Sequence, residues 1–174
     1  MKIKHWIFAV LGFGLMSCGG SSTEGSASTK AGSMNLKDIE ELQESFKTCK
    51  ETSTEDHGCK EYVSLAVSKY YGYDFMGVNE EFLSYDKLFN AVSLSETWED
   101  LGSANDQAVL NKAQENANNG IPTLAISASG TKSVAIVVKG ELTHSNSMGI
   151  DCPSVAVFRP RRYKKSFVGK GINY

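Results

Sequence analysis

The hydrophobic period of this chain changes once, at Asn118-Asn119-Gly120, and that change limits the fold more than any other feature. Before it, apolar residues recur at helical spacing. Leu36, Ile39, Leu42 and Phe46 mark one face over 35–50, with Asn35 placed to cap the start and Asp38 in the first turn. Residues 51–58 are polar and end in Gly58, which predicts a loop. Cys59, Tyr62, Val63, Ala66, Val67 and Tyr70 share the next face, and Gly72 stops that helix. Residues 79–92 are again helical, with Phe82, Leu83, Leu88 and Phe89 apolar; Trp98 and Leu101 read as core. The Ala-, Gln-, Asn- and Glu-rich stretch 104–118 is a further helix, closed by residues that tolerate the left-handed conformation. Beyond it, 121–128 and 133–139 are short apolar runs separated by Ser129-Gly130-Thr131, the pattern of a hairpin, and 155–158 is a third strand. Helices first and antiparallel strands second predict an α+β domain, with the helices packed on one face of a small sheet. No internal repeat is visible.

The N-terminus follows another logic. Lys2 and Lys4 precede an apolar run from Trp6 to Met16, which is too short to cross a bilayer, since about 20 apolar residues are needed. This is the layout of a secretory signal. It ends in Leu15-Met16-Ser17-Cys18-Gly19, which resembles the lipobox of bacterial lipoproteins. The resemblance implies a signal peptide over 1–17, removed on export, and lipid on Cys18. Residues 19–34 are mostly Gly, Ser, Thr and Ala with little apolar content, so 18–34 reads as a lipidated cysteine and flexible tether. Three acyl chains would anchor firmly where one binds marginally. Gly19 rather than Asp implies the outer membrane if the cell is Gram-negative. The folded part is then 35–174, the size of one ordinary domain.

The 174-residue chain has a formal charge of -2. Without Lys2 and Lys4 the mature chain stands at -4, 16 basic against 20 acidic residues. Neither value suits a nucleic-acid partner. The local exception is Arg159, Arg161, Arg162, Lys164 and Lys165, either a solvated basic edge or a contact for an anionic cell-wall polymer or lipid headgroup. With no Cys-x-x-Cys, no His-x-x-x-His and no Gly-rich loop between strand and helix, no metal or cofactor is expected. Tyr70, Tyr71, Tyr73 and Phe75 form an aromatic cluster that serves core or rim packing, or offers a platform to a sugar or peptide.

Past Cys18 stand Cys49, Cys59 and Cys152, an odd number in a compartment where disulfides form. Cys59 falls at the expected start of a helix, where unpaired N–H groups and the helix dipole favour a thiolate and can hold an oxyanion. Gly58-Cys59-Lys60-Glu61-Tyr62-Val63 resembles the nucleophile helix of CHAP and NlpC-type cysteine amidases and peptidases, small papain-like enzymes that cut peptide bonds in bacterial cell walls. Ala113 to Gly120 with the strand after it, Lys132 to Gly140, Asp151-Cys152-Pro153 and Ser166 to Gly171 continue the resemblance over about 58–174. It implies a papain-like fold, attack by Cys59 on an amide carbonyl, and an oxyanion hole that uses the Cys59 N–H. The position of the family's histidine holds Ser133, which cannot take the thiol proton near neutral pH. His5 lies in the signal, His57 on the loop before Cys59, and His144 in a polar loop after the second strand.

Three roles therefore stay open for Cys59. It is a catalytic thiol served by His144 or His57, a vestige of lost chemistry, or half of a structural disulfide. A Cys49–Cys59 bond would close a short polar loop, worth roughly 3 kcal/mol in the loop-entropy picture, and leave Cys152 odd. A Cys49–Cys152 bond would leave Cys59 free. The corresponding functions are a cell-envelope amidase or endopeptidase, and an inactive binding or regulatory lipoprotein that holds cell-wall peptide or a protein partner.

Overall fold

The computed structural model describes residues 32, 34–53, 59–77, 79–127, 133–158 and 172–174. The signal peptide, Cys18 and most of the tether, His5, His57, Gly58, the 129–131 turn, the basic residues of 159–165 and the 166–171 segment lie outside them.

Helix α1 spans Leu36–Thr52. Asn35 Oδ1 accepts from the Lys37 and Asp38 N–H groups at 2.8 and 3.2 Å, and Asp38 Oδ2 accepts from the Asn35 N–H at 2.7 Å. This reciprocal box satisfies three N–H groups that the helix start leaves without partners. Helix α2 spans Tyr62–Tyr71 and stops at Gly72, whose φ of 70° lies in the left-handed region that glycine enters without strain. Helices α3 (Tyr85–Ser93) and α4 (Gln107–Asn118) follow, α4 capped by Asp106 and closed before Gly120 at φ 77°. The segment ahead of α1 is docked rather than loose at two points. Met34 N–H donates to the Lys69 carbonyl, and a Cβ on Gly32 would overlap the Tyr70 carbonyl, so only glycine fits there.

Strands β1 (Leu124–Ser127), β2 (Ser133–Val137), β5 (Val155–Ala156) and β6 (Ile172–Asn173) form an antiparallel sheet in the order β5-β2-β1-β6. Leu124 pairs with Ile136 and Ser127 with Ser133, as the expected hairpin requires. Strands β3 (Thr143–Ser145) and β4 (Ile150–Cys152) make a separate hairpin.

Among the described residues the class is α+β, with four helices and small antiparallel sheets. The layering differs from the expected one-sided packing. Strand side chains alternate between two cores. Leu124, Val134, Ile136, Val138, Ala156 and Phe158 join α1, α2 and α3 through Ile39, Phe46, Val63, Val67 and Leu88. Ala125, Ala135, Val137, Val155 and Val157 join α4 through Leu110, Ala113 and Ala117. The sheet is thus covered on both faces because Leu124 to Ile126 and Val134 to Val138 are apolar without alternation, and a sheet needs a second helical layer when both faces avoid water. Fully burying side chains such as Leu88, Leu110 and Ile136 contributes roughly 1.5–3 kcal/mol each.

Candidate functional site

Cys59 was expected to open a helix, with three roles open to its sulfur. It lies instead on a turn three residues before Tyr62, where α2 begins. Its sulfur is bonded to that of Cys49 on α1, with Cα atoms 6.0 Å apart, and the residue is 1% exposed. The turn is held from three sides. Tyr85 N–H donates to the Lys60 carbonyl at 3.0 Å, the Lys60 ammonium sits 5.5 Å from the Tyr85 ring centroid, and Ser64 Oγ bonds to the Glu61 and Leu83 carbonyls. A sulfur in a disulfide carries no thiolate, so Cys59 in this state cannot act as a nucleophile. Of the three roles open to it, the structure has the structural bond, paired with Cys49.

Of the two candidate bases, His57 lies outside the described residues and His144 is on β3, while Ser133 holds the position of the family's histidine. Ser133 begins β2 opposite Ser127. His144 is on β3, paired with Asp151 of β4, and its Nδ1 lies 2.7 Å from Asp151 Oδ1 on an exposed surface. Gln107 at the start of α4 anchors that hairpin. Its Oε1 accepts from the Asp151 N–H at 2.8 Å, and its Nε2 donates to the Asp151 carbonyl at 2.9 Å. The hairpin therefore belongs with α4, and Cys59 with the α1–α3 core across the sheet. His144 thus meets Asp151, and Cys59, bonded to Cys49, holds no thiol proton for a base to take.

Cys152, the free thiol among the described residues, is fully buried on β4. Neighbours along a strand point to opposite sides, so Cys152 turns inward where Asp151 presents its carboxylate to His144. Burial raises the Cys152 thiol above its ordinary range, while a hydrogen bond from Ser145 lowers it and the Asp151 charge adds to the rise. A thiol that is buried and hard to ionise is chemically inert.

The aromatic cluster divides by depth. Tyr70, Tyr71 and Phe75 are buried. Tyr70 Oη accepts from the Lys139 N–H at 2.9 Å, and Tyr71 Oη donates to the Val137 carbonyl. Burial pushes both phenols up, with the Tyr70 charge adding to the rise at Tyr71 and backbone hydrogen bonds opposing it. These two tyrosines are core. Tyr73 is partly exposed and meets Trp98 edge-on, with centroids 5.3 Å apart, and Trp98 stacks on Phe75 at 5.9 Å and 26°. Tyr73 and Trp98 border a groove of about 740 Å³ that residues of α3, the 95–101 segment and the 121–126 stretch also line. Ser93, Ser95, Thr97, Glu99 and Asp100 line it, as do Ile121, Leu124 and Ile126. Sequence reading missed this groove, because Tyr73, Trp98 and Ile121 share no motif; the one signal was the exposed-rim reading of the aromatic cluster.

Among the described residues no three or more His, Cys, Asp or Glu side chains gather as a metal site, and no helix is long and apolar enough to cross a membrane. The chain matches no known protein family, no curated protein and no solved structure.

Proposed function

We propose that this protein is a cell-envelope lipoprotein whose papain-like, amidase-derived domain binds cell-wall peptide without cutting it. The observation that carries this reading is the state of Cys59. The nucleophile position of the family resemblance is tied to Cys49 and buried. The absence of a histidine at Ser133 adds to it, since serine supplies neither the base nor the acid that amide cleavage needs. The Cys49–Cys59 bond also suits an oxidising compartment outside the cytoplasm, in accord with the export signal and the lipobox-like Cys18.

The test uses the full chain in detergent with purified peptidoglycan, before and after mild reduction, beside Cys59→Ala. The chain is expected to co-sediment with the polymer and to release no fragments detectable by mass. Fragments from the wild type that are absent with Cys59→Ala would establish a hydrolase and overturn the binding reading. Failure to co-sediment would remove the cell-wall ligand. Labelling by a radioactive fatty acid that is lost with Cys18→Ala is the accompanying check of the anchor.

A further inference from the structure

We infer that Gly32 and Met34 mark a releasable strap, which ties the N-terminal segment to the end of α2 and closes one side of a cavity there. The end of α2 calls for such a partner. The last four carbonyls of a helix find no donor within it, and in α2 these belong to Ser68, Lys69, Tyr70 and Tyr71. Met34 N–H donates to the Lys69 carbonyl at 3.3 Å, so a residue from ahead of α1 supplies a donor that α2 lacks. Gly32 comes so close to the same helix end that a Cβ on it would overlap the Tyr70 carbonyl and crowd the Lys69 oxygen. The Met34 side chain is partly buried and packs against the α1–α3 core. Backbone fit, hydrogen bond and apolar contact thus hold the chain at one place.

The hold is slight. It consists of one long hydrogen bond, one close backbone approach and one partly buried side chain. A segment with so few contacts opens locally while the helices stay folded. Docking takes three residues out of the free N-terminal segment, at most about 10 Å of extended chain, so it changes reach little. What it changes is direction. With the anchor proposed at Cys18, the domain hangs from the end of α2 and not from the cap of α1. Docking also completes a cavity. Gly32 and Met34 line about 530 Å³ of space with Tyr70, Tyr71, Gly120 and Lys139. Release of the strap removes that wall, and whatever fills the cavity holds the strap down, because the two events are linked. Nothing in the strap depends on the state of Cys59.

The experiment is brief trypsin digestion of the full chain in detergent, with products identified by mass. The bond read is Lys30–Ala31, two residues ahead of the docked Gly32. A protease needs the chain on both sides of its target bond to be open, so cutting there follows the released population. Gly32→Ala should speed this cut roughly tenfold, about the effect of losing one hydrogen bond with the contact beside it. Met34→Ser, which keeps the N–H and removes the apolar anchor, should act in the same direction. Cutting after Lys112, inside α4, should keep its rate in both variants. An unchanged rate at Lys30 in both variants would overturn the strap. Equal acceleration at Lys30 and Lys112 would show that the whole domain opens together, and would overturn local release.

Discussion

Three phenols and one thiol are held back from ionising by the fold. Tyr70, Tyr71, Tyr174 and Cys152 are all buried, and burial is the leading cause that raises each above its ordinary value. Raised folded values mean that the native state holds these protons more tightly than the unfolded chain does. Their contribution to stability is complete below the unfolded values, about 8.5 for the thiol and about 10 for the phenols. It is lost as pH climbs through the higher folded values. Urea unfolding measured between pH 8 and 11 should therefore show stability flat at first and then falling. Each group still protonated only in the native state should steepen the fall by about 1.4 kcal/mol per pH unit. Tyr174→Phe should make the alkaline fall shallower. An alkaline limb unchanged by that substitution would mean that Tyr174 ionises freely in the native state.

At the level of elements, one buried side chain ties three segments together. Gln114 on α4 is 4% exposed. Its Nε2 donates to the Val138 carbonyl at 2.9 Å and to Asn118 Oδ1 at 3.1 Å, and its Oε1 accepts from the Ser154 N–H at 2.8 Å. It thereby ties α4 to the end of β2 and to the turn that leads into β5. Gln114→Ala should cost about 2–3 kcal/mol, because buried backbone groups lose their partners. Gln114→Glu should cost more at neutral pH, since a carboxylate would face the Val138 carbonyl. Chemical denaturation of both variants checks the order. Much of the element plan was legible because period and caps agreed: Asn35 and Asp38 at α1, Gly72 after α2, and the β1–β2 pairing. Strands β3 and β6 were not legible. They are two or three residues long, and Thr143-His144-Ser145 has no apolar alternation to read. Their pairing is decided by partners distant in sequence, as when Gln107 holds Asp151. Helix α2 also begins later than the apolar stripe implied, because Cys59 is buried by its bond to Cys49 and not by a helical register.

For the whole molecule, the two-sided sheet explains why the site was harder to read than the fold. Val134 to Val138 is apolar without alternation, which is itself the sign of a strand buried on both faces. The groove bordered by Tyr73 and Trp98 is assembled from residues between 73 and 126 together with Tyr174, which no local pattern links. The Cys49–Cys59 bond works at this scale too. Replacing both cysteines by serine should lower stability by about 2–4 kcal/mol, measured by urea unfolding, because the unfolded chain regains the freedom of a closed loop. An unchanged midpoint would show that the loop is already restrained when unfolded. The bond has one more consequence, which concerns damage rather than folding. Residues 49 to 59 form a covalent ring, so a single backbone cut between those two cysteines opens the ring without dividing the chain. A nicked molecule would run as intact on a gel until it is reduced. Whatever the N-terminus is fastened to would keep its hold on the rest of the domain after the break.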